Sequence, residues 1–228
     1  MKVIAHIETD FNSKFGVPRQ SGVIQELEAR IVFEPAYRNP EAFRGLEGFS
    51  HIWLIWHFSE AERQDWSPTV RPPRLGGNTR MGVFATRSPF RPNAIGLSSV
   101  RLTKIELDTP VGPVLHVAGA DLMNGTPIYD IKPYLAYTDA HPEATGGFTD
   151  VLEKEIQPLK VQVDEEMLKE LPADKREALL QVLAADPRPH YQKDPERVYG
   201  FTFANKEVKF QVKDGVILVV GVSPSLSF

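Results

Sequence analysis

The chain has no cysteine, and that absence excludes disulfides, thiolate nucleophiles and cysteine-ligated zinc or iron–sulfur centres together. It also lacks any uninterrupted apolar run approaching the roughly 20 residues that cross a bilayer. Its opening residues, MKVIAHIETD, turn polar and acidic too early for a secretory signal, so a cytoplasmic protein is expected. There is no GxxxxGK[ST] phosphate loop, no GxGxxG after a strand, no HExxH and no GxSxG elbow, which removes the standard nucleotide and hydrolase sites. Six histidines are scattered as His6, His51, His57, His116, His141 and His190. Only His51 and His57 share a strand face, and six extended residues hold them about 20 Å apart, too far for one metal. No metal site is expected.

What is present is the composition of a soluble globular protein: 42% hydrophobic and 25% charged over 228 residues, enough for one large domain or a main domain with a small appendage. The net charge of −4 conceals a segregation. Between Trp66 and Ile105 stand Arg71, Arg74, Arg80, Arg87, Arg91, Arg101 and Lys104 with no acid among them, while the rest of the chain carries 19 basic against 30 acidic residues. A basic island in an acidic chain suggests an anionic partner held at one place, phosphate or nucleic acid. The alternative is pairing of these cations with acids elsewhere in the fold.

The first 150 residues read as short strands cut by Gly, Pro and Asn, at 2–7, 22–33, 50–58, 81–86, 96–107, 114–120 and 128–131. In 50–58, Ile52, Leu54, Trp56 and Phe58 alternate with His51, Trp53, Ile55 and His57, so both faces are at least half buried. No helical crossover separates these strands apart from a short possibility at 40–45, which argues for a barrel or sandwich and against a doubly wound sheet. A linker-like stretch at 142–150 marks a boundary. Beyond it, helices are expected at 164–171 and 174–185, the second capped by Asp174 with Glu177. A three-stranded meander follows at 198–204, 207–213 and 216–222, its last turn signalled by Asp214-Gly215. The fold class is mainly β: a barrel over 1–148, then a small α+β domain over 149–228.

Two blocks concentrate chemistry. In RPPRLGGNTRMGVFATRSPFRPNAIG (71–96), prolines pre-set the backbone, glycines permit close approach, and Arg87 and Arg91 can fork onto carboxylate or phosphate; the alternative is a pair of tight barrel-end turns. In DLMNGTPIYDIKPY (121–134), Asp121, Asp130 and Lys132 surround a turn at Asn124-Gly125, and Asp130 either accepts a proton or simply pairs with Lys132.

These blocks, with VPRQ at 17–20, GLEGFSHIW at 45–53, PPRLGG at 72–77, GVFATRSPFRPN at 82–93 and DIKPY at 130–134, resemble the TsaA-like family, and DPRPHY at 186–191 is similar to a motif of its bacterial C-terminal domain. The resemblance spans nearly the whole chain. It implies a β-barrel that binds S-adenosylmethionine without a Rossmann domain, as a homodimer with the pocket near the subunit interface. It also implies transfer of a methyl group to N6 of the threonylcarbamoylated adenosine at position 37 of tRNA. By motif position, cofactor contacts are expected from Pro18, Arg19, Gln20, Ser59, Glu60, Arg87, Leu97, Asp121, Leu122, Met123, Asn124, Gly125 and Thr126. Asn124 stands where the family usually has Asp. Asp130 is the first candidate base and Asp121 the second. Arg71, Arg74, Arg80, Arg91 and Arg188 are expected to meet tRNA or its modification, with Trp66 or Tyr134 available to stack on a splayed base. Two rival readings are a non-catalytic RNA-binding barrel and a methyltransferase of the same fold with a non-tRNA acceptor.

Overall fold

The computed structural model describes residues 1–61, 65–75, 78–150, 157–188 and 194–225, with the side chain of Arg74 left aside. In chain order the first strands are β1 (Ala5–Glu8), β2 (Glu28–Phe33), β3 (His51–His57), β4 (Thr69–Val70), β5 (Met81–Gly82), β6 (Ile95–Glu106), β7 (Val114–Ala118) and β8 (Pro127–Pro133). Six of them close into a barrel in the order β1-β2-β7-β6-β3-β8, every pair antiparallel. The short β4 and β5 form a separate ribbon. The alternation expected in β3 holds: Ile52, Leu54 and Trp56 point into the barrel, packing with Ile7, Ile31, Leu115, Leu122 and Ile128. Phe33 and Phe43 meet edge to face at 4.8 Å within the same core.

Three of the expected strands depart most from the sequence reading. The run at 2–7 pairs only from Ala5. The run at 22–33 becomes extended at Glu28, because Ile24 and Leu27 are drawn into a different core. The run at 81–86 pairs for two residues and then coils into a 3-10 turn, Val83–Ala85. The possible helix at 40–45 is a 3-10 turn, Pro40–Phe43, started by the Asn39 side chain accepting the Glu41 N–H.

The remainder comprises α1 (Ala136–Asp139), β9 (Lys160–Gln162), α2 (Glu165–Lys169), α3 (Arg176–Ala184), β10 (Tyr199–Phe203), β11 (Lys206–Lys213) and β12 (Val216–Pro224). The meander forms as expected, with Asp214 and Gly215 both at positive φ in its last turn. A fourth strand, β9, adds parallel to β12; at three residues it is too short to show a period. Asp164 caps α2 through a 2.9 Å bond from the Glu166 N–H. Asp174 does not cap α3: it lies in a 3-10 turn, and Lys175 occupies the cap position without a side-chain bond. Among the described residues no helix is long and apolar enough to cross a membrane.

The second core is built from α3 and the four-stranded sheet around Leu179, Leu183, Phe203 and Phe210, and it includes Phe11, Ile24 and Leu27 from the connection between β1 and β2. That connection therefore lies between the barrel and the C-terminal sheet.

Candidate active site

Antiparallel closure sends alternate connections to opposite barrel ends. The connections 9–27, 58–94 and 119–126 accordingly all open at one end. Those connections carry Pro18, Arg19, Gln20, Ser59, Glu60, Arg71, Arg80, Arg87, Arg91 and the turn 121–126, and at the mouth Arg87, Gln20 and the Ser21 backbone meet around Asp121.

Asp121 lies at the centre of the polar contacts. It follows β7 by three residues, and its Oδ1 accepts a 2.6 Å hydrogen bond from Ser98 Oγ. Ser98 Oγ in turn accepts the indole N–H of Trp56 at 3.0 Å, inside the barrel. Burial pushes the Asp121 carboxyl above the usual carboxylate range, against the opposing effects of the Ser98 bond, its own backbone N–H, the Ser21 backbone N–H and the Arg87 charge. A partly buried carboxylate with a raised pKa beside donors is suited to accept a proton or to face a cation.

The adjoining wall is a chain of hydrogen bonds. Arg87 donates to Gln20 Oε1, and Gln20 Nε2 donates to the Arg19 carbonyl at 2.5 Å. Arg19 reaches the carbonyls of Asp186 and Arg188 at 3.4 and 3.5 Å. The turn 121–126 is pinned to the same connection and to β1: the Asn124 N–H donates to Phe11 O and the Gly125 N–H to Ile7 O, both at 2.8 Å. Asn124 Oδ1 accepts the Thr9 N–H and its Nδ2 donates to Asn12 Oδ1, each at 3.2 Å. An aspartate at this position would lack that second donor, which accounts for the amide. Leu122 is buried in the barrel core, and the Thr126 hydroxyl donates to Met123 O at 2.7 Å. The side chains of both positions are thereby engaged within the protein.

Other expected residues are placed elsewhere. Asp130 pairs in register with Ile55 on the outer face of the barrel and lies 3.1 Å from Lys132 Nζ; its Oδ1 accepts the Ile131 N–H. The barrel wall thus separates it from Asp121. Leu97 is on that outer face too, 58% exposed, beside Ile55. Tyr134 follows β8 at the far end of the barrel, against Trp53 and His51, about 25 Å of extended chain from Thr126. Arg91 braces its own loop, donating to the carbonyls of Thr86 at 2.6 Å and Val83 at 3.2 Å, with its guanidinium 6.0 Å from the Phe84 ring. Phe84 and Trp66, both exposed, lie 6.1 Å apart. Ser59 and Glu60 occupy an exposed turn after β3, and Arg188 is paired with Asp186. The Arg74 side chain and Gly76, Gly77, Pro189, His190 and Tyr191 lie outside the described residues. Sequence reasoning misses Ser98, Ser21 and Trp56. The available signal for Ser98 is its inward position between Gly96 and Val100, where a buried hydroxyl requires a partner. Among the described residues no group of three or more His, Asp or Glu is placed to hold a metal ion.

A closed antiparallel barrel with a partly buried carboxylate beside Arg87 at one mouth defines a protein that builds its polar site on loops rather than on the strand ends of a doubly wound sheet. The chain belongs to the tRNA-methyltransferase O family: the model of that family's N-terminal domain matches residues 6–140 and that of the TrmO C-terminal domain matches 156–225. It is 38% identical to the tRNA (adenine(37)-N6)-methyltransferase of Escherichia coli over 97% of this chain and 96% of that one. Identity is 47% with the enzyme of the same name from Eikenella corrodens, over 76% and 97% of the two chains. A Pseudomonas aeruginosa protein described as a putative S-adenosylmethionine-dependent methyltransferase is 40% identical over 86% and 85%. A crystal structure of TrmO from Pseudomonas aeruginosa is similar to this fold with a TM-score of 0.77, at 31% identity and covering 98% of each chain.

Proposed function

We propose that the protein methylates N6 of the adenine at position 37 of tRNA, using S-adenosylmethionine, and that its acceptor carries a threonylcarbamoyl group at that N6. Family membership supports the reaction class. The observation that carries the reading within this chain is Asp121, a partly buried carboxylate raised in pKa and held between Ser98, the Ser21 backbone and Arg87.

The residues at the mouth fit the cofactor. Its charged ends are a sulfonium, which Asp121 can balance, and a methionyl carboxylate, which Arg87 and Gln20 can bind, while an adenine edge can meet those backbone groups of the turn 121–126 that are not bonded to β1 and Phe11. When bound, S-adenosylmethionine supplies an electrophilic methyl group. The acceptor nitrogen of a threonylcarbamoyl group is a ureido nitrogen with a delocalised lone pair, so a base is needed. Asp121 takes the N6 proton on its carboxylate as N6 gains the methyl group, and Ser98 holds that carboxylate in place. Positioning of the two partners supplies most of the remaining acceleration. Asp130 has the less suitable environment, paired with Lys132 on the outer wall. Arg71 and Arg80, exposed on the long connection, meet tRNA phosphates, and the threonyl carboxylate pairs with an arginine of the same loop.

The protein works in the cytoplasm as a homodimer. The outer face of β6, β3 and β8, where exposed Leu97 lies beside half-buried Ile55 and Ile95, receives the second copy. Leu97 is next to Ser98, so that interface begins at the rim of the mouth.

The test is tritiated methyl transfer to tRNA with and without the threonylcarbamoyl group, followed by nucleoside mass analysis. Label confined to the modified adenosine is expected. Equal labelling of both tRNAs would remove the substrate gate, and cofactor binding without label in either would indicate a different acceptor. Absence of both binding and transfer would favour a non-catalytic RNA-binding barrel.

A further inference from the structure

The connection 9–27 has two flanks. One faces the mouth: Gln20 receives Arg87, and the Ser21 backbone faces Asp121. The other is fastened along its length to the C-terminal sheet and helices. Phe11 packs on Phe203 with ring centroids 5.4 Å apart, and Phe15 on Phe201 at 6.1 Å. Gly16, at φ +97°, lies so close that a Cβ there would meet the Phe201 ring at 2.6 Å. Asp10 pairs with Lys175 at 2.7 Å, both largely buried, and the Asp10 carbonyl accepts the Ala204 N–H at 3.1 Å.

At the mouth end of this fastening stands Asp186. Its backbone is left-handed, at φ 50°, a conformation uncommon outside glycine, asparagine and aspartate. Arg188 Nε donates to both Asp186 carboxylate oxygens, at 2.9 and 3.1 Å, with the two side chains only 18% and 17% exposed. This closed turn presents the carbonyls of residues 186 and 188 to the Arg19 guanidinium. From Arg19 the hydrogen-bond chain continues through Gln20 to Arg87.

We propose that the Asp186–Arg188 turn is a positioning device for the cofactor wall, so that Arg188 acts through Arg19 and Gln20 on Arg87 rather than by gripping tRNA. The inference rests on the reading of residues 19, 20, 87 and 121 as the S-adenosylmethionine site. Its physical basis is that a long connection with few strand contacts of its own has low local stability, and each hydrogen bond that ties it down reduces its opening. Arg188 is poorly placed for phosphate because its Nε is occupied and its side chain is mostly covered. The C-terminal part thereby contributes to cofactor affinity as well as to any contact with RNA.

The experiment uses the full chain as wild type, Arg188→Ala, Arg188→Lys and Asp186→Asn. Amide hydrogen exchange over peptides covering 15–22 is measured without ligands, S-adenosylmethionine affinity by calorimetry, and tRNA affinity as a function of salt. Arg188→Ala is expected to speed exchange over 15–22 by about tenfold and weaken cofactor binding by a similar factor, the loss that one charged hydrogen-bonded pair accounts for. Exchange in the barrel strands and the salt slope of tRNA binding should not move. Its KM for the cofactor should rise more than its kcat falls, and Arg188→Lys should restore part of both effects. Asp186→Asn keeps the shape of the turn and should reproduce the change more weakly, which preserves the test if Arg188→Ala does not fold. Unchanged exchange over 15–22 overturns the proposal, as does unchanged cofactor affinity in a protein whose wild type binds the cofactor. Weaker tRNA binding with a reduced salt slope and no other change would make Arg188 a phosphate contact. If the wild type binds no S-adenosylmethionine, the functional reading fails, while the exchange data still decide whether the turn orders the loop.

Discussion

A single carboxylate carries two opposed demands in this protein. Asp121 is buried enough that its charged form is disfavoured, yet it is held by Ser98, the Ser21 backbone and the Arg87 charge. Its native pKa lies above the unfolded value, so the native state binds the extra proton. The stability that this proton contributes is present at low pH and is lost as the pH rises through the native pKa. At neutral pH the ionised carboxylate is therefore a net cost to folding. Asp121→Asn is expected to leave the melting temperature unchanged or raise it by ~2–4 °C, what about 1 kcal/mol is worth in a chain of this size. The same substitution should lower kcat by roughly 10²–10⁴, the range of general-base catalysis. Asp130→Asn, on the outer wall, should keep kcat within a few-fold of wild type. Melting curves and single-turnover methyl transfer on the two variants check this; the reverse order of effects would return the base to Asp130. In the wild type, the rate should rise with pH through the raised pKa of Asp121 and then level off.

At the scale of elements, β6 is the strand on which the site depends. Its inward positions run Gly96, Ser98, Val100, and the missing side chain at Gly96 makes room for Trp56 across the pair. A Cβ at Gly96 would lie 2.2 Å from the indole, in a core with no slack. Gly96→Ala is expected to cost about 1–3 kcal/mol as overpacking and to displace Trp56 from Ser98, which leaves Asp121 without its oriented donor. Loss of thermal stability, a shifted tryptophan emission and reduced methyl transfer should appear together. A fully active Gly96→Ala protein would show that the chain from Trp56 through Ser98 to Asp121 is not required. The alternation of β3 was legible because side chains on a strand must point to opposite faces. The fate of residues 81–86 and 22–27 was not, since a 3-10 turn and a loop drawn into another core carry the same apolar residues as a strand. The Asp214-Gly215 turn was legible and its counterpart at Ala204-Asn205 was not, although both adopt positive φ, because alanine gives no local sign of that conformation.

For the whole molecule, the composition break at 142–150 separates two strand systems, but the packing crosses it. Phe11, Ile24 and Leu27 are buried against α3, β10 and β11 rather than in the barrel. Removal of residues 149–228 should therefore expose an apolar patch on the connection 9–27 and loosen the wall of the mouth, even where the barrel strands remain paired. Dye binding to exposed apolar surface and loss of S-adenosylmethionine affinity are the expected outcomes for the shortened chain. A shortened chain that stays monodisperse, binds no such dye and keeps full cofactor affinity would refute this account of the loop.

The sequence by itself determined the mainly β class, the exclusion of cysteine chemistry and of a doubly wound sheet, the inward face of β3 and the basic character of the long connection. All of these follow from residue type and short-range spacing. Only the tertiary structure decided that the barrel closes, that Asp121 and Asp130 lie on opposite sides of its wall, that Tyr134 is at the far end and that Arg188 is bound to Asp186 beside Arg19. Those facts depend on strand order, register and contacts between segments distant in the sequence, and local pattern contains no information about which distant segment supplies a partner.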